Sequence, residues 1–137
     1  VIGTPADAQP QPWTGSGRLL VVDDEPVVRT VTVRALRLFG FDVAEAVDGQ
    51  DAVEQVEKDP AGFVCVLLDL TMPRLNGEET QARLMQINPA LPVVLMSGFN
   101  EQDAAERLQG RGVAAFIQKP FELATLRETL RAVIEAK

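Results

Sequence analysis

Acidic residues follow two separate apolar runs of this chain. The run 18–22 leads into Asp23 and Asp24, and the run 63–68 leads into Asp69. Short aliphatic runs of this kind are typical of buried parallel strands, and ligands bind in the crevice beyond the carboxyl ends of such strands. Three carboxylates gathered there repel one another unless a cation lies among them. The sequence therefore predicts a divalent metal site with one carboxylate left to react.

Two further polar side chains follow later apolar runs. Ser97 closes the run 92–96, and Lys119 follows the run 113–117. A hard cation such as Mg²⁺ prefers oxygen ligands, while a lysine and a hydroxyl add one positive charge and one hydrogen-bond donor. Carboxylates, cation, lysine and hydroxyl together predict a site for a phosphoryl group.

The elements that must position these residues alternate along the chain. The predicted strands are 18–22, 41–45, 63–68, 92–96 and 113–117, and a helical stretch follows each. Five β-α units predict an α/β fold, a doubly wound (βα)5 arrangement with a five-stranded parallel sheet and helices on both faces. We expect the flavodoxin-like strand order 2-1-3-4-5.

Local signals mark where helices begin and which faces they bury. Pro26 suits a first helical turn, and the pairs Asp48/Asp51 and Asn100/Asp103 resemble capping pairs. The last helix carries a predicted core stripe made of Leu123, Leu126, Leu130, Val133 and Ile134.

Composition limits the functions open to this chain. Its 137 residues suit one domain, and the net charge of -7 disfavours contact of this domain with nucleic acid or anionic lipid. There is no histidine, and the single cysteine, Cys65, excludes an internal disulfide and a cysteine cluster for zinc. No apolar stretch is long enough to span a membrane, so we expect no membrane contact by this domain.

The first residues differ from the rest in composition. Residues 1–17 are rich in Pro, Gly, Ala and Gln, which predicts a flexible interdomain linker, with the globular domain at 18–137. We therefore expect another domain to precede this one, in a parent protein that can itself be anchored in a membrane while this domain is cytoplasmic.

Four motifs give the chain a family resemblance. They are VVDDE at 21–25, LLDLTMP at 67–73 followed by Asn76 and Gly77, MSG at 96–98, and FIQKPF at 116–121. Together, and in this order, they resemble the receiver domain of two-component response regulators. The resemblance covers the whole globular part and implies a signalling module that catalyses only its own aspartate phosphorylation and dephosphorylation, and no separate enzyme activity.

The resemblance implies a role for each acid. Asp69 matches the phosphoacceptor and, with Asp24, a direct ligand of Mg²⁺ or Mn²⁺. The backbone carbonyl of Thr71 would supply a third ligand, and Asp23 would hold metal-bound water. A second group of residues matches the switch: Lys119 pairs with the acceptor and then the phosphoryl oxygens, Ser97 is the switch hydroxyl, and Phe116 is the switch aromatic.

The resemblance also implies partners. The phosphoryl donor would be a phosphohistidine on a histidine kinase or a phosphotransfer domain, docking near Val27, Val28, Pro120 and Phe121. For the two valines the alternative is a place in the core. The domain is expected to be a monomer or a weak dimer through the fourth helix, fifth strand and fifth helix.

Three other functions compete with this interpretation. A phosphatase resembling the haloacid dehalogenases needs a second acid two residues after the nucleophile, where this chain has Thr71. A flavodoxin-like FMN binder needs a Ser/Thr/Gly-rich loop after the first strand, where residues 23–25 are acids. A degenerate receiver acting as a constitutive interaction module would not need the complete set of site residues.

The larger context has three alternatives. The upstream linker and the Ser-Gly-Phe sequence at 97–99 resemble the C-terminal receiver of a hybrid sensor histidine kinase. A stand-alone receiver and a truncated response regulator are the alternatives. Phe99, two residues after Ser97, is hypothesised to shield an aspartyl phosphate from water and slow its hydrolysis, unless its ring points to solvent or a partner.

Overall fold

The computed structural model describes residues 15–69, 77–97, 113–118 and 121–135. Their strands are β1 (Arg18–Val22), β2 (Asp42–Ala46), β3 (Cys65–Asp69), β4 (Val93–Ser97) and β5 (Val113–Gln118). Their helices are α1 (Pro26–Leu38), α2 (Gly49–Lys58), α3 (Gly77–Ile87) and α4 (Leu123–Glu135). The predicted helix start at Asn100 and Asp103 lies outside the described residues.

The five strands form one parallel sheet in the order β2-β1-β3-β4-β5. The predicted fold and strand order are confirmed. The third strand is the least accurate boundary, because it runs from Cys65 to Asp69 where 63–68 was predicted. Phe63 is buried without being part of the strand, and its ring lies 4.9 Å from the Arg18 guanidinium. Its hydrophobicity therefore reports core packing and not strand structure.

The core has two layers, one on each face of the sheet. Alternate strand residues point to opposite faces, so Leu20 and Leu68 join one cluster while Leu19 and Leu67 join the other. The first cluster is completed by buried residues of α2 and α3, namely Ala52, Val53, Val56 and Leu84. The second is completed by buried residues of α1 and α4, namely Val33, Ala35, Leu36, Leu126 and Leu130. The helices thus cover both faces, as a parallel sheet requires.

The predicted helix starts at Pro26 and Asp48 are confirmed. Pro26 is the first residue of α1. At α2 the Asp48 carboxylate accepts the Asp51 N–H at 2.8 Å, and the Asp51 carboxylate accepts the Val47 N–H at 3.0 Å. This reciprocal pair satisfies two backbone donors at the sheet edge that carries the acids.

The predicted core stripe of the last helix needs one correction. Leu126 and Leu130 are fully buried, and Val133 and Ile134 pack at the edge of the core. Leu123, however, is 51% exposed, because it is the first residue of α4 and its turn precedes the part of the helix that packs on the sheet. Among the described residues, no helix combines the length and apolarity that crossing a bilayer requires.

The chain approaches β1 through three residues of the predicted linker. The Gly15 N–H donates to the Phe39 carbonyl at 2.7 Å, and the Asp42 N–H donates to the Gly17 carbonyl at 3.0 Å. Gly17 has φ +99°, a left-handed backbone that other residues rarely adopt. Residues 15–17 are therefore attached to the corner between α1 and β2.

Candidate functional site

The carboxyl ends of β1 and β3 bring the three predicted acids together. Val22 pairs with Leu68 in the sheet register, so Asp23 and Asp69 occupy neighbouring positions at the same edge. One carboxylate oxygen from each of Asp23, Asp24 and Asp69 lies within 4.8 Å of the others.

These acids lie where charge is poorly solvated. Asp23 is fully buried and Asp69 is 4% exposed, whereas Asp24 is half-buried. Two carboxylates 4.8 Å apart repel by about 3.5 kcal/mol at an effective dielectric constant of 20. A cluster of hard oxygen donors at this spacing fits a divalent cation such as Mg²⁺ or Mn²⁺, which would turn the repulsion into attraction. Thr71, the predicted carbonyl ligand, lies outside the described residues.

The Asp23 backbone and side chain are held by the loop that they begin. The Glu25 N–H donates to Asp23 Oδ1 at 2.9 Å, and the Asp23 N–H donates to the Ala46 carbonyl at 3.2 Å. The first bond orients the carboxylate, and the second fastens the loop to the end of β2. Both bonds are made by the domain itself, and together they fix the start of the loop.

Arg29 makes a third attachment, which the sequence gave no reason to expect. Its Nη1 donates to the Asp23 carbonyl at 2.7 Å, and its Nε donates to Glu45 Oε1 at 3.0 Å. The arginine lies in α1 and the glutamate in β2. The register between β1 and β2, which the predicted strand order does not specify, brings the two residues together.

The predicted switch residues are placed only in part. Ser97 ends β4 one position beyond Met96, which pairs with Asp69, so its backbone reaches the edge that carries the acids. Lys119 lies outside the described residues, and it follows Gln118, the partner of Ser97 in the register.

Phe116 lies on the edge strand β5 and is half-buried. Its ring packs against the first core cluster. It also borders an open groove of about 660 Å³ formed with α4, whose other lining residues are Ala114, Ala115, Glu128, Thr129, Ala132 and Val133. The Phe116 side chain therefore lies between the core and an open groove.

The predicted docking residues fall into different environments. Val27 is 77% exposed, so the alternative that it belongs to the core is wrong, and Val28 is half-buried. Phe121 packs at the edge of the second core cluster, while Pro120 lies outside the described residues.

The exposed apolar surface of α1 is longer than predicted. Val31 and Leu38 are exposed at 59% and 80%, and their spacing from Val27 places all three on one helix face. The sequence did contain this signal, since valines four residues apart recur on one face. The pattern alone does not separate an exposed face from a core face, because apolar residues at helical spacing are usually buried.

Known proteins resemble this chain over most of its length. A family model described as the response regulator receiver domain matches residues 19–131. The sensor kinase CckA of Brucella abortus is 33% identical over 122 residues, which cover 89% of this chain and 13% of that protein. The transcriptional regulatory protein PdtaR of Mycobacterium tuberculosis is 34% identical over 110 residues, which cover 80% of this chain and 52% of that protein. The chain thus spans about half or less of these two curated relatives.

Structural similarity covers nearly a whole solved chain. The crystal structure of a response regulator receiver domain protein from Clostridium thermocellum superposes with a TM-score of 0.84 at 22% identity. The match covers 88% of this chain and 95% of that one. At this identity, the likeness supports the fold independently of the sequence motifs.

Proposed function

This chain belongs to the response regulator receiver domain family, and from that premise we propose that it accepts a phosphoryl group on Asp69 in a Mg²⁺-dependent reaction. The observation that carries the proposal is the acidic cluster: three carboxylates within 4.8 Å, two of them buried, at the ends of β1 and β3. Such a cluster is unfavourable by itself and becomes useful when a cation and a phosphoryl group join it.

In the proposed reaction, an Asp69 carboxylate oxygen forms a bond to phosphorus as the bond from phosphorus to the donor imidazole breaks. The imidazole leaves with the electron pair and takes up a proton. Asp24 and Asp69 would ligate the cation, with Asp23 orienting metal-bound water and the Thr71 carbonyl completing the set. The bound cation supplies charge neutralisation, without which a carboxylate attacks an anionic donor poorly. Lys119 would add a second positive charge beside the phosphoryl oxygens.

The proposed output is a change of conformation at the β4 and β5 edge. An aspartyl phosphate brings roughly -1.5 to -2 charge and three acceptor oxygens. Ser97 would donate its hydroxyl to one of them, and Phe116 would move into the space this opens. The half-buried position of Phe116 beside a groove supports this role. The domain would be a monomer, or a weak dimer that contacts through β5 and its flanking helices.

A phosphohistidine donor must lie on another domain, since this sequence has no histidine. We propose that a histidine kinase or phosphotransfer domain docks beside the acids, near Val27, Val28, Pro120 and Phe121. The exposed Val27 side chain, at the start of α1, supports a docking role.

For the parent protein we propose a hybrid histidine kinase, with this domain at 18–137, a linker at 1–17 and a cytoplasmic location. The resemblance to the sensor kinase CckA supports this context. PdtaR, a transcriptional regulatory protein, supports the second candidate, a stand-alone response regulator.

A direct test is phosphorylation by phosphoramidate with Mg²⁺, measured by intact mass. We expect one phosphoryl adduct on the wild type, none on Asp69→Asn, and none when a chelator removes the metal. Asp42→Asn, an exposed acid at the opposite end of β2, is the matched control and should be phosphorylated normally. An adduct that survives in Asp69→Asn would show that another residue is the acceptor, and turnover of a phosphomonoester would favour the phosphatase alternative.

A further inference from the structure

We propose that Arg29 is a positioning residue for the metal site, and that its contact with Glu45 sets how tightly the acidic cluster binds Mg²⁺. This inference rests on the proposed function, because it concerns the same cluster. It assigns a role to two residues that are not themselves ligands.

Contacts with three other residues help to hold Asp23. Its N–H donates to the Ala46 carbonyl, its Oδ1 accepts from the Glu25 N–H, and its carbonyl accepts from Arg29 Nη1. In the first two bonds the partner of Asp23 is a backbone group, which persists under most substitutions. The third bond depends on the Arg29 side chain, so a substitution at Arg29 can alter the geometry of the loop.

The hydrogen bond from Arg29 to the Asp23 carbonyl is a strong one. The donor is a charged guanidinium at 2.7 Å from the carbonyl, and the Arg29 side chain is only 15% exposed. Charged donors make stronger bonds than neutral ones, and limited access to water increases the difference. The carbonyl of Asp23 fixes the peptide that joins it to Asp24, so this bond orients the backbone of both predicted metal-binding acids.

Glu45 holds the Arg29 side chain in place and balances its charge. Its carboxylate accepts Arg29 Nε at 3.0 Å, and its own backbone carbonyl accepts the Gln55 side-chain amide at 2.8 Å. The contact holds the guanidinium plane, and it also neutralises a positive charge that would otherwise oppose a cation in the cluster. Glu45 thereby makes it possible to place an arginine next to a metal site.

The two contacts of Arg29 require an arginine at this position. One planar group reaches two acceptors on different elements through two different nitrogens. A lysine has the same charge but presents it from a single nitrogen on a flexible stem, so it cannot reproduce this geometry. Retaining the charge alone should therefore not retain the metal affinity.

The test measures Mg²⁺ binding by isothermal titration calorimetry, without any phosphoryl donor. Residues that support metal ligands from behind typically change affinity 10- to 100-fold, so we expect Arg29→Ala to raise the Mg²⁺ Kd by roughly tenfold. Arg29→Lys should also weaken binding, and Glu45→Ala should do so by a smaller factor. Glu45 is 41% exposed, so Glu45→Ala keeps the test available if Arg29→Ala does not fold.

The matched control is Arg18→Ala. Arg18 pairs with Asp42 at 4.0 Å across the same two strands, but at their opposite end, so its loss should leave the Mg²⁺ Kd unchanged. Urea unfolding in a chelator measures the stability of each variant without metal, so that a loss of stability can be told apart from a loss of Mg²⁺ affinity. A lower unfolding free energy with an unchanged Kd in Arg29→Ala would overturn the inference. A wild type that binds no Mg²⁺ would instead overturn the metal site of the proposed function, so the two failures are distinguishable.

Discussion

Replacing Asp69 by asparagine should stabilise the domain when no divalent cation is present. The carboxylates of Asp23 and Asp69 are both buried, and their oxygens lie within 4.8 Å of each other and of Asp24. At that distance each pair repels by about 3.5 kcal/mol at an effective dielectric constant of 20. The substitution removes the charge from two pairs, keeps the side-chain volume, and leaves the third pair intact.

The net gain should be smaller than the sum of the two pairs. Asp24 is half-buried, so water screens its repulsion with Asp69. The Lys119 ammonium expected at this edge offsets part of the repulsion between Asp69 and Asp23. We therefore expect Asp69→Asn to raise the free energy of unfolding by about 2 kcal/mol in a chelator. With Mg²⁺ at 100 times its Kd, the wild type gains about 2.7 kcal/mol of unfolding free energy from binding. In Mg²⁺ the wild type should therefore be at least as stable as Asp69→Asn.

Urea unfolding followed by far-ultraviolet circular dichroism measures both conditions. Asp42→Asn, an exposed acid far from the cluster, is the control; because its cluster is intact, it should gain as much stability from Mg²⁺ as the wild type does. An Asp69→Asn variant that is less stable than the wild type in the chelator would refute the reasoning, because it would mean that the cluster is not under repulsion.

Three further predictions concern other parts of the domain. Phe99→Glu should speed loss of the aspartyl phosphate by admitting water, as followed by intact mass after donor removal, and an unchanged rate would argue against the shielding hypothesis. Asp48→Ala should lower the unfolding free energy by about 1 kcal/mol, because it removes the carboxylate that accepts the Asp51 N–H at the start of α2, whereas Asp48→Asn should retain most of it. The Arg131 hydrogen bond lowers the pKa of Glu128, so any stability this pair contributes is present above the ordinary carboxyl pKa and is lost as pH falls through the lowered one. Arg131→Ala should return the Glu128 pKa towards its ordinary value in an NMR titration.

The sequence predicted the fold well because the sheet is made of runs that need no tertiary information. Leu19, Leu20 and their neighbours are buried on both faces, and such runs predict strands wherever they occur. The acidic cluster was predictable for a related reason: the carboxyl ends of parallel strands meet at one edge, and the predicted strand order makes β1 and β3 neighbours. A strand boundary was predicted less accurately where a buried residue lies outside the strand, as at Phe63. The core stripe was predicted less accurately where a helix begins before it contacts the sheet, as at Leu123.

What surrounds the acids was not predictable from the sequence. The bridge from Arg29 to Asp23 and Glu45 depends on the register between β1 and β2 and on the rotamer of a long side chain. Periodicity does not encode either property. The exposure of Val31 and Leu38 was not predictable either, because an apolar residue on a helix gives the same sequence pattern whether it faces the core or a partner.

The attachment of Gly15 and Gly17 to the corner between α1 and β2 gives the domain two poles. The chain arrives at the amino end of β1, and the acids lie at its carboxyl end. A domain of this size has a radius of gyration of about 14 Å, which for a sphere implies about 55 Å around half its circumference. A phosphoryl donor carried upstream on the same chain would therefore have to reach from the amino end of β1 around to its carboxyl end, through the connecting segment or through its own body. A donor on a separate chain can approach the acids directly.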